Sequence, residues 1–353
     1  MTQPMFDCMG SRKFGLGKGA LALCTAIGVL GPCVSADAAA TFTTINGPGS
    51  TQDTLTGINR TGSISGFYFN SGNGTDGFVR EPDGTITKFH PAGAIFTFPW
   101  SINDGGATAG YWLDGSSIVH GFLRSPDGII AAFDAPHGHN TGVVGINNKD
   151  QVTGDYQDHA NVDHGFVRMP NGKVDTFDPA DSIGTYPQAI NDTGETAGCY
   201  DDSSKLRHGF VRASNGTITT FDVPGDVDDI CSQSINTQGT IAGQYADSNN
   251  HYHGFVRTAD GTIVTFDAPG EAEGTFAKDI DTKGRIVGDY IDSNGASHGY
   301  IRNVDGTFKT FADPDAGTGL EQGTYPQTIN ASDAVAGFYF DSNDVRHGFL
   351  RTP

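Results

Sequence analysis

Six histidines of this chain stand at one spacing from an acid. His120, His164, His208, His253, His298 and His347 each follow an aspartate by six residues: Asp114, Asp158, Asp202, Asp247, Asp292 and Asp341. Imidazole beside carboxylate is the pairing of general-base catalysis, of nucleophile activation and of zinc ligation. Repetition argues against chemistry. One catalytic centre needs one such pair, and six equivalent ones are expected to be structural, each a His–Asp hydrogen bond that fixes a loop. A seventh position carries Asn70 and Asp76 instead.

Other chemistry-bearing groups occur once each. His137 and His139 in "HGHN", with His159 beside Asp158 and Asp163, offer nitrogen and oxygen ligands from two neighbouring loops. They are the candidates for a bound divalent metal such as Zn²⁺, against solvated loop histidines, and no cofactor is otherwise expected. Asp226, Asp228 and Asp229 could bind Ca²⁺, but without EF-hand spacing they read as a solvated loop. Cys199 and Cys231 are candidates for a disulfide in an exported chain.

The elements that must hold these residues come from a repeat. His-Gly-Phe-[Val/Leu]-Arg recurs at His120, His164, His208, His253 and His347, with HGYIR at His298 and a degenerate DGFVR at Asp76. Each of these seven copies shows four strand signals separated by turns. In the fifth, strand A is Cys231–Asn236, B is Thr240–Asp247, C is His253–Ala259 and D is Thr262–Asp267. Asn-x-x-Gly marks the A–B turn (Asn59, Asn103, Asn191, Asn236), and Asp-Gly or Asn-Gly the C–D turn. No helical period is sustained. The spacing predicts an all-β, seven-bladed β-propeller with four antiparallel strands per blade. The last copy ends after strand C, and "TFTTINGPG" at Thr41–Gly49 matches a D strand and its exit loop. The N-terminal strand is therefore expected to complete the last blade and close the ring. The recurring Arg, such as Arg124 and Arg257, is expected to pair with D-strand acids such as Asp134 and Asp267. The strand B glycines are expected to admit close packing of Tyr68, Trp112, Tyr156 and their equivalents.

Residues 1–40 have a different composition. Arg12, Lys13 and Lys18 precede an apolar run from Gly19 to Val34 and the small-residue stretch "SADAAA". This reads as a cleaved secretory signal followed by one propeller domain over 41–353, extracellular or periplasmic. The net charge of −20 disfavours nucleic acid and anionic membrane surfaces as partners. No further segment is suited to span a bilayer, and a monomer is expected.

The HGF-[VLI]-R marker, with the Ile-Asn-x-x-Gly and Gly-x-Tyr signals, resembles the bacterial extracellular HAF repeats, with Gly where the family name has Ala. The resemblance covers the whole mature chain. It implies an exported repeat protein and no catalytic residues.

Ligand contacts are sought where the copies differ. Four residues before the Ile of strand A lie Thr54, Phe98, Gly142, Tyr186, Cys231, Phe276 and Tyr325, with Gln188, Gln233 and Gln327 two residues further on. Phe98, Tyr186, Phe276, Tyr325 and the three glutamines are the ligand-binding candidates, against plain packing between blades. The expected function is a non-catalytic module binding a glycan or protein at the loop-rich face and channel mouth. A polysaccharide-active lyase or hydrolase is the alternative, and a structural surface protein the third. No GxSxG, HExxH or Walker motif is present.

Overall fold

The computed structural model describes residues 40–136, 138–225 and 229–353. Residues 1–39, His137 and residues 226–228 lie outside them, and with them the expected secretory signal and the metal candidates His137, Asp226 and Asp228. Among the described residues there are twenty-eight strands and no helix. Four sheets have four antiparallel strands each in sequence order. A twelve-stranded sheet holds the rest, in which single parallel bridges, Tyr252 to Gly274 and Ser297 to Gly323, join three runs of four strands. The fifth repeat has strands Cys231–Ile235, Ile241–Ala246, Tyr252–Arg257 and Ile263–Phe266.

The N-terminal strand pairs as its sequence suggests. Thr41–Ile45 runs antiparallel to Arg346–Thr352, with Phe42 opposite Arg351 and Ile45 opposite Gly348. The D strand of the fifth repeat takes the same register, with Ile263 opposite Arg257 and Phe266 opposite Gly254.

The core lies between repeats. Ala242 and Ala268 of the fifth pack with Ile280, Ile286, Tyr290 and Tyr300 of the sixth. Ala334 and Ala336 of the seventh pack with Leu55, Ile64 and Phe78 of the first. The marker Phe is fully buried in the first five repeats and the seventh (Phe78, Phe122, Phe166, Phe210, Phe255, Phe349), each contributing about 1.5–3 kcal/mol by the usual burial scale.

The A–B turn asparagines do more than start turns. Asn59 Oδ1 accepts from the Thr61 and Ser63 N–H groups, while its Nδ2 donates to the Asn103 carbonyl at 3.0 Å. The link repeats from Asn103 to Asn147, Asn147 to Asn191, Asn191 to Asn236, and Asn236 to Asp281. Asn330 then donates to the Asn59 carbonyl at 3.0 Å, joining the last repeat to the first. One step has no amide. The Asp281 carboxylate cannot donate when ionised. It instead holds Arg285 through Nε at 2.8 Å and Nη2 at 2.6 Å, and that Nη2 donates to the Asn330 carbonyl at 3.3 Å.

The marker arginines depart from the expectation. The guanidinium of Arg124, Arg168, Arg212, Arg257, Arg302 and Arg351 lies over the D-strand Phe of the preceding repeat, 4.6–5.0 Å from the ring centroid. The acids proposed for them, Asp134, Asp178, Asp222 and Asp267, are bonded to histidine. The acid and the marker Arg sit at different heights on their strands, and the arginine side chain reaches across to the neighbour.

Candidate functional site

Each marker histidine sits at a bracket. Its Nε2 faces the aspartate six residues earlier, from 3.0 Å for His298 and Asp292 to 3.8 Å for His120 and Asp114. In repeats two to five its Nδ1 bonds a second aspartate fourteen residues later, as in His164 with Asp178 at 2.7 Å. Its ring lies against the strand B aromatic, such as Trp112 with His120 at 4.4 Å and Tyr200 with His208 at 5.1 Å. Partial burial works against protonation of His164 and His208, but the two aspartates around each outweigh it and raise both pKa values. Asp158 and Asp202 are held below the usual carboxylate range, chiefly by the Val162 and Leu206 N–H groups.

The first repeat carries the same bracket with its residues exchanged. Asp76 stands at the histidine position and His90 at the second acid position, with His90 Nδ1 3.3 Å from Asp76. Asn70, in place of the first acid, donates to Asp76 at 3.4 Å, and Tyr68 OH donates to it at 3.1 Å. An aspartate at position 70 would face Asp76 as a like charge.

The A strands, which open each four-strand run and are the inner strands of the propeller units, carry the asymmetry. All seven have a β-bulge at the same place, where the ladder to strand B skips one residue. The skipped residues are Thr56, Trp100, Val144, Gln188, Gln233, Lys278 and Gln327, all half-buried. A bulge frees a residue from the ladder and re-aims its side chain. The bulge also explains the strand B glycines. A Cβ on Gly66, Gly110, Gly154, Gly198, Gly243, Gly288 or Gly337 would strike the carbonyl oxygen of Thr54, Phe98, Gly142, Tyr186, Cys231, Phe276 or Tyr325. Backbone, more than an aromatic ring, demands glycine there. Strand A can also tolerate Pro99, Pro187 and Pro326 just before the bulge, because at those residues no second strand pairs with its far side.

The ligand-binding candidates fall into two groups. Gln188, Gln233 and Gln327 are bulge residues. Sequence reasoning missed that Trp100, Lys278, Thr56 and Val144 share their register, although each lies two residues before the strand A Ile. Phe98 and Phe276 are buried, 8% exposed each. Phe98 packs on Phe67 at 5.0 Å and Tyr111 at 5.4 Å, and Phe276 on Tyr252 at 5.1 Å. Tyr186 and Tyr325 are half-buried. Tyr186 OH donates to Asp163 at 3.4 Å, and Tyr325 stacks on Phe338 at 5.0 Å.

These side chains divide the surroundings of the inner strands into two sectors. Repeats seven, one and two form an aromatic sector. Tyr325, Phe338 and Phe340 make one group, and Phe67, Phe98, Trp100 and Tyr111 another. The Arg346 guanidinium bridges them, 5.3–5.8 Å from Phe69, Phe338 and Phe67. Repeats three to six form a polar sector. Arg207 pairs with Asp201 at 2.8 Å and reaches Asp229 at 3.6 Å, and Tyr252 OH donates to Asp229 at 2.5 Å. Burial raises the pKa of Asp163 and of Asp289.

The metal candidates converge in part. The rings of His139 and His159 stack at 6.4 Å. Asp158 bonds the Ala160 and Val162 N–H groups, and Asp163 accepts from Tyr186. Among the described residues no three His, Cys, Asp or Glu side chains form a metal-sized group. The sulfurs of Cys199 and Cys231, buried on facing strands of repeats four and five, lie 2.7 Å apart.

Solved structures similar to this chain are propellers. A streptogramin B lyase matches with a TM-score of 0.59 and 11% identity over 89% of this chain and 98% of that chain. The β-propeller domain of the Trilobed protease from Pyrococcus furiosus matches at 0.59 and 10% over 85% and 95%. BP39L lectin from Burkholderia pseudomallei matches at 0.55 and 9% over 85% and 96%. Such identities establish the fold alone: the chain is a β-propeller. No family model matches the chain, and no curated protein matches its sequence.

Proposed function

We propose that this chain is an exported, monomeric, seven-bladed propeller of the HAF-repeat kind that binds a glycan or protein at the mouth of its central channel and performs no chemistry. The ring of seven bulges carries the proposal. Each blade uses a glycine and a ladder position to free one inner-strand residue, and the freed residue is Thr, Trp, Val, Lys or, in three blades, Gln, while the turn and marker residues repeat. Seven blades are supported by the four-strand units, by the outer strand supplied at Thr41–Ile45 and by the hydrogen bond from Asn330 back to Asn59. Export is supported by the leader composition. The His–Asp brackets serve the blades, since exchanging the partners in the first blade keeps the pair while moving the imidazole to the residue just past the D strand.

The test is a glycan and peptide array on the mature chain, with a reducing-end release assay on each glycan bound. Binding without product supports the proposal. Product formation would favour a polysaccharide-active enzyme, for which Asp163, with its raised pKa beside Tyr186, is the observation in favour. Absence of both binding and product would leave a structural role.

A further inference from the structure

Two arginines hold one place in the repeat and meet opposite surroundings. Arg207 of the fourth repeat and Arg346 of the seventh each precede the marker histidine. Each lies across the B–C hairpin from the residue six before it, Arg207 opposite Asp201 and Arg346 opposite Phe340. Arg207 is held by two carboxylates, Asp201 at 2.8 Å and Asp229 at 3.6 Å. Arg346 has neither. Phe340 fills the first place. The second, two residues before Cys231, is filled in the first repeat by Gln52, two before Thr54. Among the described residues the Arg346 guanidinium makes no hydrogen bond or ion pair, and it lies 5.3–5.8 Å from the rings of Phe69, Phe338 and Phe67. Asp53 acts on it through space, but its Oδ1 already accepts from the Gly47 N–H at 2.6 Å and its Oδ2 from Ser50 Oγ at 2.8 Å. Arg346, Phe69, Phe338, Phe340 and Tyr325 are half-buried, so each keeps surface in solvent and the group is reachable from outside.

We infer that Arg346 receives a monocarboxylate carried on an aromatic ring, as in an arylalkanoic acid or the C-terminal phenylalanine of a peptide. The inference rests on the binding-module reading and names the chemistry of its ligand. A guanidinium is a planar fork that a carboxylate meets with two parallel hydrogen bonds. The rings around Arg346 keep water from part of it, which makes such a pair stronger than in bulk solvent. Phe69, Phe338 and Phe340 offer faces and edges but no hydrogen-bonding group. The body behind the carboxylate is therefore apolar, and an aryl group packs on these rings edge-on or offset. A hexuronate would bring hydroxyls against phenyl rings and leave them unpaired. A phosphate would bring a second charge to a single guanidinium, in a chain of net charge −20. Trp100, freed by the bulge of the second repeat, lies 6.4 Å from Phe67 and extends the aromatic wall.

The experiment titrates the mature chain with hydrocinnamate, its uncharged amide, D-glucuronate, and the peptide Gly-Gly-Phe with a free or an amidated C-terminus, read by saturation-transfer NMR and calorimetry. Hydrocinnamate should bind, and its amide tenfold or more weakly. Tighter binding of the free-terminus peptide than of hydrocinnamate supports the inference with a protein terminus as the source. The reverse order supports it with a small acid. Arg346→Gln should weaken hydrocinnamate tenfold or more. Phe340→Asp rebuilds the Asp201–Arg207 pair at the same register, so it should occupy the guanidinium from within. It should bind tenfold or more weakly than Phe340→Asn, which removes the same ring without adding a charge. Thermal melts confirm that each variant folds, and Val264→Ser, on an outer strand, should bind as the parent does. Equal binding of acid and amide overturns the inference, as does parent-like binding by Arg346→Gln or Phe340→Asp, or glucuronate binding as tightly as hydrocinnamate. If none of these acids binds while other array ligands do, only this inference fails; if nothing binds at all, both readings fail.

Discussion

Replacing Arg285 with alanine tests the hydrogen-bonded ring at its one irregular link. The substitution removes both hydrogen bonds to the Asp281 carboxylate, the 2.5 Å pair with Asp333, and the donor to the Asn330 carbonyl. The Asp281 side chain is 1% exposed, so its charge would stay buried without its main partner. Removing one member of a buried ion pair typically costs about 3–5 kcal/mol. Two Asp281 oxygen contacts survive, from the Lys283 and Arg285 N–H groups, which puts the expectation near the lower end, about 3 kcal/mol. The rescue is more diagnostic than the loss. Asn103 with Ala107, and Asn330 with Ala334, are the same pair of positions filled by Asn and Ala. The double variant Asp281→Asn, Arg285→Ala should therefore restore an amide donor to the Asn330 carbonyl, remove the buried charge, and recover most of the loss. Urea unfolding of parent, both single variants and the double variant closes the cycle, with the slope checked for constancy. Arg285→Ala within about 0.5 kcal/mol of the parent, or a double variant no more stable than that single variant, would refute the reasoning.

The exchanged bracket of the first repeat allows a similar swap. Asp76→His alone takes the acceptor from Tyr68, Asn70 and His90 and should cost about 1–2 kcal/mol, whereas adding His90→Asp should return most of it in the same urea assay. Stability should also fall as pH rises above about 6.5. The raised pKa values of His164 and His208 make their contribution complete below the ordinary 6.5 and lost as pH rises through the raised values. The lowered pKa values of Asp158 and Asp202 make theirs present above 3.8 and lost as pH falls through the lowered values. A pH series of unfolding midpoints should show that fall, reduced in the double variant His164→Gln, His208→Gln. Deleting Thr41–Ile45 should abolish cooperative melting by circular dichroism, because Phe42 packs on Phe311 and Phe349 from that strand. A permutant opened between Gly270 and Glu271, with the old termini joined, should still melt as one unit. After oxidative refolding, Cys199 and Cys231 should resist alkylation under denaturing conditions until reductant is added, and the bond should be worth about 3–4 kcal/mol in the chain-entropy model.

Period, strand count and the seam were legible because they are written in residues that a turn or a core position cannot exchange. Asn and Gly recur at the A–B turn, Phe recurs in the marker, and an isolated copy of the D-strand phrase stands at Thr41. The partners of the marker histidines were half legible. Spacing exposed the acid six residues before, but the acid fourteen residues after follows a whole hairpin, and Asp134 or Asp267 looked like a partner for arginine. His90 gave a usable signal that went unread: it occupies the column of those acids in the one repeat whose histidine is missing. The destination of Arg124 and its equivalents was not legible within a repeat, because the ring it covers belongs to the preceding one.

The bulge was the least visible feature and has the most bearing on where a ligand would sit. It leaves the repeat length unchanged and demands no residue type at the bulged position, since Thr, Trp, Val, Gln and Lys all occur there. Its one trace is the invariant strand B glycine, and a glycine opposite aromatic residues invites a packing explanation. The carbonyl that would collide with a Cβ belongs to the very residue whose side chain looked like the ligand platform. That shifts the weight of the site. Phe98 and Phe276 are held as packing by the same local geometry that frees Trp100 and Lys278 two residues later. Variation at the freed position carries no folding penalty through the ladder, so it is the position at which blades can diverge without losing the ring. A ligand read by this protein would accordingly be contacted by residues that no pair of repeats needs to share, and the mixture of aromatic, amide and ammonium groups there follows from that freedom.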